Sequence, residues 1–196
     1  MWIRANGYKL SEMDHNILTG NEWLNTSIMD AAQFMIARSI GSLHQSVIYC
    51  RKPEKFTPVA ADHLQLIHNG KDHWILTRSI NCRVQIFDSM RKKKQNGIIQ
   101  RSIQCLYTLY KTEGGITADL MNVQAQTDYF NCGVFAIAYA ADILSGISPI
   151  MSVYDVDKMR SHFIKCLEEE ELTPFPKLLV GRKRKTIESS IDVMTF

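Results

Sequence analysis

The cysteine with the most informative surroundings is Cys132. It stands in Gln126-Thr-Asp-Tyr-Phe-Asn131-Cys132-Gly133-Val-Phe, where a polar loop over 125–131 meets an apolar run that lasts to Ser145. Asn131 can cap a helix there, which puts Cys132 in its first turn. Free backbone N–H groups and the positive end of the helix dipole converge at that point. Both favour a thiolate over a thiol. The same N–H groups can hold an oxyanion formed on a carbonyl that the sulfur attacks. Gly133 would let a substrate backbone come close. Taken alone, the stretch also suits a small apolar cysteine that opens a core helix.

A cysteine nucleophile is best served by a neighbouring imidazole. His73, in His73-Trp74-Ile-Leu-Thr, opens a predicted strand just after a turn and can project into a cleft. Asp88 closes the apolar strand Val84-Gln-Ile-Phe-Asp88-Ser89, where a carboxylate can fix the imidazole tautomer and steady an imidazolium. Each has an ordinary reading alone, as a surface-turn histidine and a turn-forming aspartate. Together, His73, Asp88, Gln126 and Cys132 each sit at the end of a predicted element. His73 and Asp88 fall on neighbouring predicted strands.

The elements that must bring them together follow from pattern. Strands are expected over 63–68, 73–79 and 83–88, with a turn at Asn69-Gly70 and another near Asn81, and a further strand over 116–124. Ser11-Glu-Met-Asp14 opens a short helix, and Asn25, Thr26 or Ser27 caps the next, which ends before Gly41. Helices are expected over 97–111, 132–145 and 155–171. The run over 132–145 is apolar nearly all round and belongs in the middle of a domain. The fold class is therefore α+β, with a small sheet that is at least partly antiparallel.

Composition agrees. The chain has 196 residues, 45% hydrophobic and 22% charged, which suits one globular domain. No apolar stretch reaches the ~20 residues of a membrane span, and the N-terminus lacks a signal-peptide core. Five cysteines without a CxxC pair argue against a disulfide scaffold and for an intracellular setting, nuclear or cytoplasmic. A net charge of +3 is too small to imply nucleic acid.

With these residues in place, the sequence resembles the ubiquitin-like-protein-specific cysteine proteases, the ULP/sentrin-specific group distantly similar to the adenovirus protease. Trp23-Leu-Asn25, His73-Trp74, Phe87-Asp88-Ser89, and Gln126 followed by Asn131-Cys132-Gly133-Val-Phe carry the resemblance, over roughly Leu10 to Pro176. It implies a cysteine-protease fold with a central mixed β-sheet and surrounding helices, formed by residues 1–178, ahead of a basic, flexible tail over 179–196. It implies Cys132 as nucleophile, His73 as general base and then acid, Asp88 as its orienter, and Gln126 as an oxyanion donor. Trp23 and Trp74 would flank a narrow channel for a Gly-Gly C-terminus. The implied partner is a ubiquitin-like modifier, SUMO, ubiquitin or related, and its conjugates. No metal or organic cofactor is implied.

Two positions depart from the family pattern: Thr26 and Asn131 stand where aspartates are usual. Both still suit a helix start, but the loss of two carboxylates bears on which modifier docks. A mobile-element or viral-type polyprotein protease, a deubiquitinase and a silent modifier-binding domain remain open on the sequence. His63, His68 and His73 are five apart, a spacing that does not gather metal ligands on a strand or helix. Arg91-Lys-Lys-Lys94 reads as a solvated loop or as a patch for an acidic modifier face. Arg182-Lys-Arg-Lys185 reads as a solubilising tail or an import signal.

Overall fold

The computed structural model describes residues 1–5, 7–178 and 192–196. A ribbon of β1 (Ile3–Arg4) and β2 (Lys9–Leu10) precedes two helices, α1 (Glu12–Thr19) and α2 (Thr26–Ser39). Ser11 and Asp14 form a reciprocal capping box on α1, and the Asn25 side chain caps α2. A five-stranded sheet follows, in the order β3 (His63–His68), β4 (Trp74–Ile80), β5 (Arg83–Phe87), β6 (Thr117–Leu120), β7 (Asp192–Thr195). Helix α3 (Gly97–Leu106) crosses from β5 to β6, and α4 (Cys132–Leu144) and α5 (Val156–Glu169) come after β6. The β5–β6 pairing is parallel and the other three are antiparallel, so the sheet is mixed.

The strands alternate between two apolar faces. Leu64, Leu66, Trp74, Leu76 and Phe87 face one core with α2, α4 and α5; Ile67, Ile75, Val84 and Ile86 face another with α3. Apolar residues on both faces require cover on both sides, which the helices supply. Every α4 residue from Cys132 to Asp142 is buried. The outer edge of β3 is closed by Gln33 of α2. Its Nε2 donates to the Leu64 carbonyl at 3.0 Å, and its Oε1 accepts the Leu66 N–H at 2.8 Å. A buried carboxamide thus stands in for a neighbouring strand and blunts the edge.

Some boundaries differ from expectation. The helix expected to 111 ends at Leu106, because Tyr107 turns inward and its hydroxyl pairs with Thr77 Oγ1 at 2.7 Å. The strand expected over 116–124 is paired only at Thr117–Leu120. The chain end, expected to be a flexible tail, contributes β7 at 192–195, with Met194 and Phe196 packed on the α3-side core. The exposed edge of β6 and the alternation of this segment account for that pairing. Arg182–Lys185 lies outside the described residues. Among the described residues, no helix is long and apolar enough to cross a membrane.

Candidate active site

Three elements supply the site. The first is the loop from Asn69 to His73 between β3 and β4. It is not a two-residue turn. Asn69 Oδ1 accepts the N–H groups of Lys71, Asp72 and His73 at 2.8, 2.9 and 3.0 Å. The Asn69 N–H donates to the His73 carbonyl at 2.9 Å. One carboxamide therefore sets the path of the segment that carries the histidine. Gly70 has φ +82°, and a Cβ there would meet Ile98 of α3 at 2.2 Å, so the loop is also pressed against its neighbour.

The second element is the end of β5. Asp88 is buried, and its Oδ1 lies 2.7 Å from His73 Nε2. It also accepts N–H groups from Met90 at 2.8 Å and Lys92 at 3.1 Å, and the Gln95 amide at 3.2 Å. Burial opposes its ionisation, but the hydrogen bond and charge of His73, with the Met90 and Gln95 donors, outweigh it and hold the carboxyl below its usual range. The backbone of the basic run 91–94 thus helps to hold Asp88. Arg91 itself folds back, donating to the Val123 carbonyl.

The third is the start of α4. The resemblance and the capping argument place Cys132 in the first turn, and there it lies. Asn131 does not cap with its side chain. Its Nδ2 donates to Asp128 Oδ2 at 3.0 Å and its Oδ1 accepts from Arg160 Nε at 2.8 Å. Asp128 Oδ1 also takes the N–H groups of Phe130 and Asn131. The loop is braced from within, and among the described residues no side chain fills the first N–H groups of α4. Those donors stay available for an anion.

Cys132 is 1% exposed, and its Sγ lies 3.9 Å from the Asp72 carbonyl. The His73 ring is equally enclosed. Burial alone would lower its pKa; the Asp88 hydrogen bond, and after it the Cys132 side chain, raise it to about 9. Among the described residues, Nδ1 has no aligned hydrogen-bond partner. Since Asp88 takes Nε2, Nδ1 is the nitrogen left for the sulfur. An imidazole beside a cysteine is an arrangement suited to nucleophilic chemistry.

The remaining expected residues divide. Trp74 is buried; its indole N–H donates to the Leu24 carbonyl at 3.1 Å and its ring lies 4.4 Å from that of His68. Trp23 is 54% exposed and donates its indole N–H to the Tyr129 carbonyl, joining the α1–α2 loop to the segment before Cys132. Both tryptophans, with Leu24 and Asp72, line a cleft of about 580 Å³. Gln126 is anchored otherwise than expected. Its Oε1 accepts the Ser89 hydroxyl and its Nε2 donates to the Asp128 carbonyl at 2.7 Å, leaving one amide proton. At Gly133, expected to let a substrate backbone come close, a Cβ would meet Met29 Sδ at 3.0 Å and Leu24 at 3.2 Å. Its missing side chain lets the start of α4 pack closely against α2 and Leu24.

Asn69, Gln95 and Arg160 were not legible as site residues. Asparagine at a loop start signals an Asx turn and could have pointed to Asn69. Arg160 of α5 gives no such signal. It donates to the Ile17 and Glu22 carbonyls at 2.8 and 2.6 Å as well as to Asn131, so it ties the Trp23 loop to the Cys132 loop. His63 pairs with Gln65, His68 lies on Trp74 and His73 faces Asp88; among the described residues no group of His, Cys, Asp and Glu is placed to hold a metal ion.

No protein-family model matches the sequence, and no curated protein is similar to it. Solved structures are similar in fold. The SUMO protease Ulp1 with its catalytic cysteine oxidised to a sulfenic acid superposes with a TM-score of 0.62 at 14% identity, over 86% of this chain and 88% of that one. The C-terminal Ulp1 protease domain in complex with Smt3, the yeast ortholog of SUMO, gives a TM-score of 0.56 at 14% identity, over 82% and 83%. A de-sumoylating protease gives 0.53 at 17% identity, over 83% and 80%. The chain has the α+β fold of the Ulp1 cysteine protease domain.

Proposed function

We propose that this protein is a cysteine protease and isopeptidase that hydrolyses the bond after the C-terminal Gly-Gly of a ubiquitin-like modifier, SUMO-type or related. The observation that supports it most is the His73 imidazole, bonded to Asp88 on one side and raised in pKa by Cys132 on the other, at an uncapped helix start. A modifier-binding domain without chemistry has no use for such a set.

The reaction runs as acyl transfer. Cys132 sulfur attacks the terminal glycine carbonyl while His73 holds the proton. The first N–H groups of α4 and the remaining Gln126 amide proton receive the oxyanion. His73 gives its proton to the departing amine as the C–N bond breaks, leaving a thioester. It then takes a proton from water, which attacks the thioester and restores the thiol. Asp88 keeps the imidazole oriented and supports its charge. The modifier tail runs through the cleft that Trp23 and Trp74 line, where flat indole faces suit an extended glycine backbone.

A panel of modifiers carrying C-terminal electrophiles tests this reading. One member of the panel should form an adduct on Cys132, and Cys132→Ala should abolish both adduct and cleavage. His73→Ala should lose most turnover and Asp88→Asn should keep a fraction. Labelling by a ubiquitin probe alone replaces SUMO with ubiquitin as the substrate. Cleavage that survives Cys132→Ala ends the enzyme assignment.

A further inference from the structure

The outer part of the cleft carries a charge that the reaction does not use. Arg51, at the end of the 3-10 turn Val47–Arg51, and Lys71, on the Asn69-braced loop, both line it, and both are exposed. Among the described residues neither forms an ion pair, whereas nine other pairs are present. The one carboxylate in the lining is Asp72. Its Oδ1 accepts from Asn69 Nδ2 at 3.1 Å, and that hydrogen bond, with the nearby Lys92 charge, holds its carboxyl below the usual range. Burial and the Arg51 charge both disfavour protonation of His68, so it adds little positive charge of its own. Asn25, Thr26 and Ile48 complete the wall without charge. Among the described lining residues, Arg51 and Lys71 outnumber the one carboxylate, Asp72, so the lining is net positive.

Its position is set by the chain. Lys71 is two residues from His73 on a loop whose backbone is fixed by three hydrogen bonds to one side chain. Arg51 and Lys71 line the same cleft as Trp23 and Trp74, so a tail that enters between the tryptophans also passes these two cations.

We infer that this cleft selects tails with an acidic side chain immediately before the Gly-Gly and discriminates against basic ones. The inference rests on the proposed reading of the cleft as the path of the modifier tail. Opposite charges meeting in a half-open groove favour the right partner, and like charges reject the wrong one.

Two synthetic peptides ending in Glu-Gly-Gly and Arg-Gly-Gly, each carrying a C-terminal vinyl methyl ester, provide the test on the full chain. Adducts on Cys132 are followed by intact mass. The Glu probe should react roughly tenfold faster at low salt, and the advantage should shrink at about 0.5 M salt as screening shortens. The double variant Arg51→Glu, Lys71→Glu should reverse the order. Equal rates, a preference for Arg, or a Glu preference that survives the double variant and high salt overturn the inference and leave the protease reading intact. No adduct on Cys132 with either peptide, in protein whose circular dichroism is that of a folded chain, overturns both.

Discussion

At the residue scale, the site turns on one imidazole with two neighbours that pull its protonation the same way. The hydrogen bond to Asp88 and the contact with Cys132 raise His73 to about 9 against the effect of burial. Removing the sulfur removes one of those causes. In Cys132→Ala the His73 ring should titrate below about 9, measurable by NMR of its ring protons; an unmoved titration would mean that the sulfur and ring do not interact. The same values give the pH dependence of stability. A pKa raised in the folded state contributes stability that is complete below about 6.5, the ordinary histidine value, and lost as pH rises through about 9. Asp88 acts in the opposite sense: its depressed pKa contributes above about 3.8, and that contribution is lost as pH falls through the folded value. Denaturant midpoints should therefore decline on the alkaline side, and Asp88→Asn should blunt that decline.

At the element scale, catalytic placement depends on short connections rather than on the strands and helices they join. His73 sits in a loop held by Asn69, Asp88 in a corner held by the backbone of residues 90 and 92, and Cys132 behind a loop braced by Asp128 and Arg160. Asn69→Ala should free three backbone donors at once. The expected cost is about 1–3 kcal/mol of stability, with a larger loss in kcat than in KM, because the histidine is displaced while the cleft walls remain. Steady-state kinetics beside a urea titration would separate the two effects. The signature Asn69-Gly70 was legible as a turn, yet its size was not. A carboxamide can close a two-residue turn or a longer Asx loop, and only the packing of Gly70 against Ile98 selects between them.

At the scale of the whole molecule, the sheet separates two apolar cores, and Cys132 of the candidate site belongs to the one that contains α4. Strand β7 closes the far edge, where Met194 and Phe196 reach the other core. Deleting residues 192–196 should lower stability by about 1–3 kcal/mol, from lost apolar burial and an unpaired β6 edge, and should leave the Cys132 electrophile reaction within about twofold. Thermal melts and adduct rates on the same preparation check both halves of this expectation.

Some of this was determined by sequence alone. The run after Cys132, apolar nearly all round, demanded a central helix, because it has no polar face to turn toward water. The turn signals at Asn69-Gly70 and near Asn81 marked successive strands, and the order of His73, Asp88, Gln126 and Cys132 pointed to nucleophilic chemistry. These are local properties, set by periodicity and residue type. Tertiary structure decided the rest. It turned Asn131 toward Arg160 instead of the helix it precedes, gave Gly133 to Leu24 and Met29, and brought the end of the chain back to β6. Each outcome depends on which distant surfaces meet. Hydrogen-bond partners and contact distances between remote segments follow from the packing of the whole core, and no window of neighbouring residues contains that information.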